Sequence, residues 1–293
     1  MLGSSLTGFG FNPSVLASAA SESKNAPCIF NFSLDAGGPV VELLCLKRML
    51  ARGIQPDLVM IESHPYFLYG DRIENNELDI SNSRLKLEDF EIIGRYDPDG
   101  RSRLIRWCSA ALLPWSAHRE NLSAVLQFLP CFLPDSTSPI AGEVWKRVDR
   151  NGWYDWNRLA RDFAGFRHSH QSTEQAKQSA SCLFNRYASR EFSHRAGNAY
   201  YEIAELCKKR NIAVALIRMP EMGCVRTDIS PRCRSEVETF YADFRRKAGV
   251  RVIDARAWVP DEEFWDGFHV TATGATYFSE ELDRQIIQPF LKR

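Results

Sequence analysis

The sequence predicts an α/β fold: a mostly parallel sheet held between helices in a three-layer α/β/α sandwich. Strand, helix and strand follow one another from Cys28 to Glu62, the same order returns from Gly197 to Asp254, and a helical pattern runs from Thr273 to Phe290. Repeated alternation of this kind builds parallel strands joined by right-handed crossovers.

Gly3-Ser4-Ser5 stands directly ahead of a first helical pattern, with almost no chain before it for a strand. That shortage reads as a start internal to a longer protein, with any signal or anchor lying upstream. Cys28-Ile-Phe-Asn-Phe-Ser33 reads as a short buried strand and Asp35-Ala-Gly-Gly-Pro39 as the turn after it. A helix follows in which Val40, Leu43, Leu44 and Leu50 share a face, Pro39 suits the first turn and Gly53 closes the end. A turn at Gln55-Pro56 leads to a second strand, Asp57 to Glu62.

Beyond the middle of the chain come a helix from Gly197 to Arg210, a strand from Ile212 to Ile217, a helix from Ser230 to Ala248 and a strand from Val250 to Asp254. The final helix carries Phe278, Leu282, Ile286 and Ile287 on one face, with Pro289 near its end. Residues 66–195 break this grammar. They hold Trp107, Trp115, Trp145, Trp153 and Trp156 and prolines 130, 134 and 139, with helical patterns at Leu112–Leu133 and Trp156–Phe163. This stretch reads as an insertion or cap within a single α/β domain spanning 1–293.

Composition narrows the function. Lysine plus arginine and aspartate plus glutamate number 37 each, so no net field favours nucleic acid or anionic lipid. No run approaches the ~18–20 apolar residues of a membrane span. The eight cysteines are scattered without zinc spacing, and Cys45 lies in an apolar run. They read as reduced thiols, so the chain as written is soluble and cytoplasmic; an upstream start would move it to the cell envelope. His168 and His170, without a nearby carboxylate or thiolate, read as an exposed loop and not as metal ligands.

In a parallel sheet ligands gather outside the carboxyl ends of the strands. Gly3-Ser4-Ser5, Ala36-Gly37-Gly38, Glu62-Ser-His-Pro65 and the Asp266-Gly-Phe-His269 loop all fall there. A serine hydroxyl needs a base within hydrogen-bond reach, and His269 needs an acceptor on its other nitrogen, supplied by Asp266. The amides of Ser5 and of Gly37 or Gly38 are candidate donors to a developing oxyanion.

These blocks resemble the SGNH (GDSL-like) hydrolase superfamily, in a bacterial branch related to alginate O-acetyltransferases. Gly3-Ser4-Ser5 matches its nucleophile block with serine in place of aspartate, Gly37 or Gly38 its second block, and Asp266-Gly-Phe-His269 its last. The third block differs, with His64 standing near the oxyanion asparagine's place. The resemblance implies a flavodoxin-like sandwich and a serine esterase or O-acyltransferase acting on a small acyl ester or acylated carbohydrate. Ser5, His269 and Asp266 would be its triad, and Ser5, Gly37, Gly38 and His64 its oxyanion hole. It implies no cofactor or metal and leaves the oligomeric state open. The alternative is an inactive SGNH-fold protein that binds a glycan or protein through its insertion. A phosphate-binding use of Gly37-Gly38 lacks the lysine of a P-loop.

Overall fold

The computed structural model describes residues 1–20, 27–34, 37–69, 85–97, 99–112, 148–153, 173–188 and 191–292. Leu112 alone of the expected helix Leu112–Leu133 falls within these ranges, and Trp156–Phe163, His168 and His170 lie outside them.

The elements run β1 (Leu2–Gly3), α1 (Ser5–Gly10), α2 (Pro13–Ala20), β2 (Phe32–Ser33), α3 (Pro39–Ala51), β3 (Leu58–Ser63) and α4 (Pro65–Leu68). Then come α5 (Phe90–Tyr96), α6 (Gly100–Leu112), α7 (Thr173–Ala188), α8 (His194–Lys209), β4 (Ala213–Arg218), α9 (Gly223–Asp228), α10 (Pro231–Ala248), β5 (Arg251–Asp254), α11 (Ala272–Leu282) and α12 (Gln288–Leu291). The five strands form one parallel sheet in the order β2-β1-β3-β4-β5. β3 and β4 are its longest pair, in register from Leu58 opposite Ala213 to Ser63 opposite Arg218.

Side chains alternate across the sheet, as a strand's period of two requires. Val59, Ile61 and Leu216 pack on one face beneath α3, α8 and α10, whereas Met60, Ala215 and Ile217 pack on the other against α1, α2 and α11. Two apolar layers on either side of one sheet make the α/β/α sandwich. Ile61, Leu216 and Ile217 are wholly buried, and each contributes about 1.5–3 kcal/mol of apolar burial.

Local chemistry sets the boundaries. Pro39 opens α3, and Gly53 lies just beyond its end at φ 76°. Ser230 caps α10 by accepting from the Cys233 amide, and Gly249, left-handed at φ 67°, ends it. Ser193 caps α8 through the Ala196 amide, which starts that helix ahead of the expected Gly197.

Two expectations need correction. The strand expected over Cys28–Ser33 pairs only at Phe32–Ser33, because its partner β1 offers just Leu2 and Gly3. The final helix is not continuous from Thr273 to Phe290. It passes through a π-helical turn at Asp283–Ile287, where the Gln288 amide bonds to the Asp283 carbonyl. Pro289, the second residue of α12, has no N–H for an ordinary helical bond, and its ring crowds the carbonyl of the preceding turn, so the chain widens there. Among the described residues, no helix is long and apolar enough to cross a membrane.

Candidate active site

The two adjacent serines do different work. Ser4 is buried and extended (φ −89°, ψ −160°) and caps α1, its Oγ accepting from the Leu6 amide at 3.1 Å. Ser5 therefore becomes the first residue of α1, where a helix amide has no acceptor within its own helix. Its hydroxyl lies 2.8 Å from His269 Nε2.

Glu62, buried on the neighbouring strand β3, ties the turn together. Its Oε2 accepts from the Ser4 amide at 2.9 Å, the Thr7 amide at 2.9 Å and Thr7 Oγ1 at 2.6 Å, and its Oε1 accepts from Ser4 Oγ. Burial pushes this carboxyl above the ordinary 4.5, opposed by the hydrogen bonds from Ser4 and Thr7, which favour the ionised form. Glycine at position 3 follows from the same crowding: a Cβ there would run into the Thr7 side chain and the Glu62 carboxylate.

The opposing loop is equally constrained. Phe264 and Val270 form an antiparallel bridge, and the Trp265 amide donates to the His269 carbonyl at 3.0 Å, so the five residues between the bridge ends close on themselves. Gly267 turns the tip at φ 91° and lies so close to α7 that a Cβ would strike the Ala176 carbonyl. Asp266 Oδ1 accepts from the His269 amide at 2.8 Å and the Phe268 amide at 3.0 Å, while Oδ2 lies 2.6 Å from His269 Nδ1. Burial works against the Asp266 carboxylate, but these bonds, led by that to the His269 ring, hold it below the ordinary 3.8. The Phe9 ring centroid lies 4.4 Å from that of the imidazole and the Trp265 centroid 5.9 Å from it, an aromatic wall beside His269.

Thr271 caps α11 directly after this loop, and the Asn12 amide beyond α1 donates to Ser279 of α11 at 2.8 Å. The helices that carry Ser5 and follow His269 are thus tied to each other.

His64 sits at the carboxyl end of β3 as the cap of α4, its Nδ1 accepting from the Tyr66 amide at 3.2 Å. That bond assigns the proton of the neutral ring to Nε2. Burial, and then the charge of His269, push its pKa down to about 3, so the ring is neutral around pH 7. Of the two glycines, Gly37 gives its amide to the Leu34 carbonyl at 2.8 Å, whereas Gly38 stands at the cap of α3. Ser5, Asp266 and His269 lie within hydrogen-bond reach of one another as a chain. His64 feels the charge of His269, which adds to burial in lowering its pKa.

Sequence reasoning missed three contributors: Glu62, the Phe9 and Trp265 wall, and Glu221. An acid inside the apolar run Leu58-Val-Met-Ile-Glu-Ser63 was the available signal for the first, since glutamate is seldom buried without partners. Glu221 lies just past β4 and is 5% exposed, and its Oε1 is 3.9 Å from His64 Nε2. Burial pushes its carboxyl up to about 7.

A carboxyl raised in the folded state contributes stability below its unfolded value of 4.5, and that contribution is lost as pH climbs through about 7. Between pH 4.5 and 8 the protein is therefore expected to lose about 3 kcal/mol relative to Glu221→Gln. Urea unfolding of both proteins at several pH values measures the difference, and parallel stability curves would refute it.

Among the described residues, no group of three or more His, Cys, Asp and Glu is placed to hold a metal ion. No protein-family model, curated protein or solved structure matches this chain.

Proposed function

We propose that this chain is a serine hydrolase of SGNH type, an esterase or O-acyltransferase for small acyl esters that works through a Ser5 acyl-enzyme. The observation that carries this reading is the unbroken hydrogen-bond chain from Ser5 Oγ through His269 Nε2 and Nδ1 to Asp266 Oδ2 at the carboxyl edge of a parallel sheet.

In the first half-reaction Ser5 Oγ attacks the ester carbonyl while His269 Nε2 takes its proton, and Asp266 stabilises the imidazolium that forms. Negative charge gathers on the carbonyl oxygen. The Ser5 and Gly38 amides and the neutral His64 Nε2–H are its donors. Collapse breaks the ester C–O bond, and the alcohol departs with the proton held by His269. Water, or a second alcohol, then loses a proton to His269 and attacks the acyl carbon; the acyl–Oγ bond breaks, Ser5 Oγ takes the proton back from His269, and the acid or new ester leaves.

The test is a fluorophosphonate probe, which phosphonylates an activated serine. Wild type is expected to label at Ser5, identified by peptide mass, and Ser5→Ala to remain unlabelled. Equal labelling of the two proteins, or none of either, would reject the reading; the latter would favour the non-catalytic binding protein.

A further inference from the structure

The imidazole of His269 has both of its nitrogen edges committed. Asp266 Oδ2 lies 2.6 Å from Nδ1 and Ser5 Oγ lies 2.8 Å from Nε2, so other side chains act on the ring through its faces. Two aromatic residues approach it there. The Phe9 centroid is 4.4 Å from that of the imidazole with the planes inclined by 35°, and the Trp265 centroid is 5.9 Å away at 34°. Phe9 and Trp265 also stack on each other, 5.8 Å apart at 24°.

Phe9 owes its place to the helix that carries the nucleophile. It follows Ser5 by four residues in α1, a spacing that puts two side chains on one helix face. The turn that aims the hydroxyl at Nε2 therefore also brings a phenyl ring to the plane of the imidazole. An inclination of 35° is nearer to face-on stacking than to an edge-on contact, and the face is the electron-rich part of a phenyl ring. Phe9 is 9% exposed and the His269 side chain 20%, so little water reaches the contact.

A phenyl face attracts a cation within about 6 Å of its centroid, and more strongly as water is excluded. Neutral imidazole gains little from this attraction. The ring is charged only while it holds the proton taken from Ser5 Oγ. That proton reaches Nε2 as the bond from Oγ to the acyl carbon forms, and it leaves with the alcohol as the ester C–O bond breaks. A contact that strengthens with this charge is stronger in the transition state than in the resting enzyme, and such contacts are the ones that raise a rate. Asp266 exerts this preference at one edge of the imidazole, and Phe9 exerts it at a face.

We propose that Phe9 is a positioning residue of the acyl-transfer site: it fixes the plane of His269 and stabilises, through its ring face, the charge that the imidazole carries during proton transfer. The inference rests on the acyl-transfer reading of Ser5 and adds to it an apolar side chain whose ring electrons contribute to the rate.

Replacing Phe9 by phenylalanines bearing one, two and three fluorines tests it, because fluorine drains the ring face of electron density while the ring keeps its shape and apolar character. With 4-nitrophenyl acetate, on the pH plateau of the rate, kcat is expected to fall stepwise along the series, to about one tenth with three fluorines, and KM to stay within about twofold. Phe9→cyclohexylalanine and Phe9→Leu, which keep apolar bulk without a π face, should lose at least as much. Unfolding curves establish that each variant folds, and the fluorinated series stands even where Phe9→Leu does not.

A kcat that stays level across the fluorinated series, or a loss confined to KM, would overturn the proposal and leave Phe9 a packing residue. Should wild-type Ser5 take the fluorophosphonate while the series stays level, the role of Phe9 alone fails. Should Ser5 take no label and the ester not turn over, the acyl-transfer reading fails and this inference with it.

Discussion

Replacing His269 with alanine is expected to lower kcat/KM for a short-chain acyl ester by about 10⁴-fold, with little change in stability. The imidazole is the group within reach of the Ser5 hydroxyl proton, at 2.8 Å, and a serine without a base is a weak nucleophile near neutral pH. Asp266→Asn should cost nearly as much, for a different reason. Asp266 Oδ1 already accepts from the Phe268 and His269 amides, so an asparagine would keep its carbonyl there and turn its NH₂ towards His269 Nδ1. The ring would then accept at Nδ1 and carry its proton on Nε2, facing Ser5 with a donor in place of an acceptor. Steady-state kinetics of the purified variants, with unfolding curves to establish folding, measure both effects. A His269→Ala protein within tenfold of wild type would remove His269 from the role of base.

The second large effect concerns Glu62. Substitution by leucine is expected to destabilise the protein by about 3–5 kcal/mol, because the Ser4 and Thr7 amides and hydroxyls lose their common acceptor. Glutamine should cost less but still substantially: one oxygen can accept, while its NH₂ meets a hydroxyl that must reverse its bond. Activity should fall in both variants even where they remain folded, since Glu62 sets the angle at which β1 passes into α1 and hence the position of Ser5. Urea denaturation gives the stability loss, and kcat measured well below the transition gives the positioning loss. A Glu62→Leu protein as stable as wild type would contradict the account of the turn.

The parts of this molecule that were legible in its sequence are those governed by neighbours along the chain. Residues 57–62 and 212–217 read as strands because the sheet they join is covered on both faces, so most of their positions are apolar. The long helices were bounded by their own caps, with Ser230 and Gly249 as the clearest pair. Asp266 and His269 were visible together because a short loop joins them. What escaped depends on neighbours across the sheet. The length of β2 was set by the two residues that β1 presents to it, and the π-helical turn of the last helix by a proline just beyond it. Glu62 gave no hint of its partners, since they belong to the adjacent strand and helix. Glu221 was silent for the same reason: the residue it faces, His64, follows the neighbouring strand.

The tie between the helices that carry Ser5 and follow His269 has a kinetic side. The two residues are 264 positions apart in sequence, and β1 reaches its place only by inserting between β2 and β3. Contacts of such separation form late and slow the search for the native state. A chain made only as far as β4 holds the hydroxyl and not yet the imidazole. On the proposed reading, Ser5 stays inert in a chain whose sheet is incomplete and gains its reactivity with the fold.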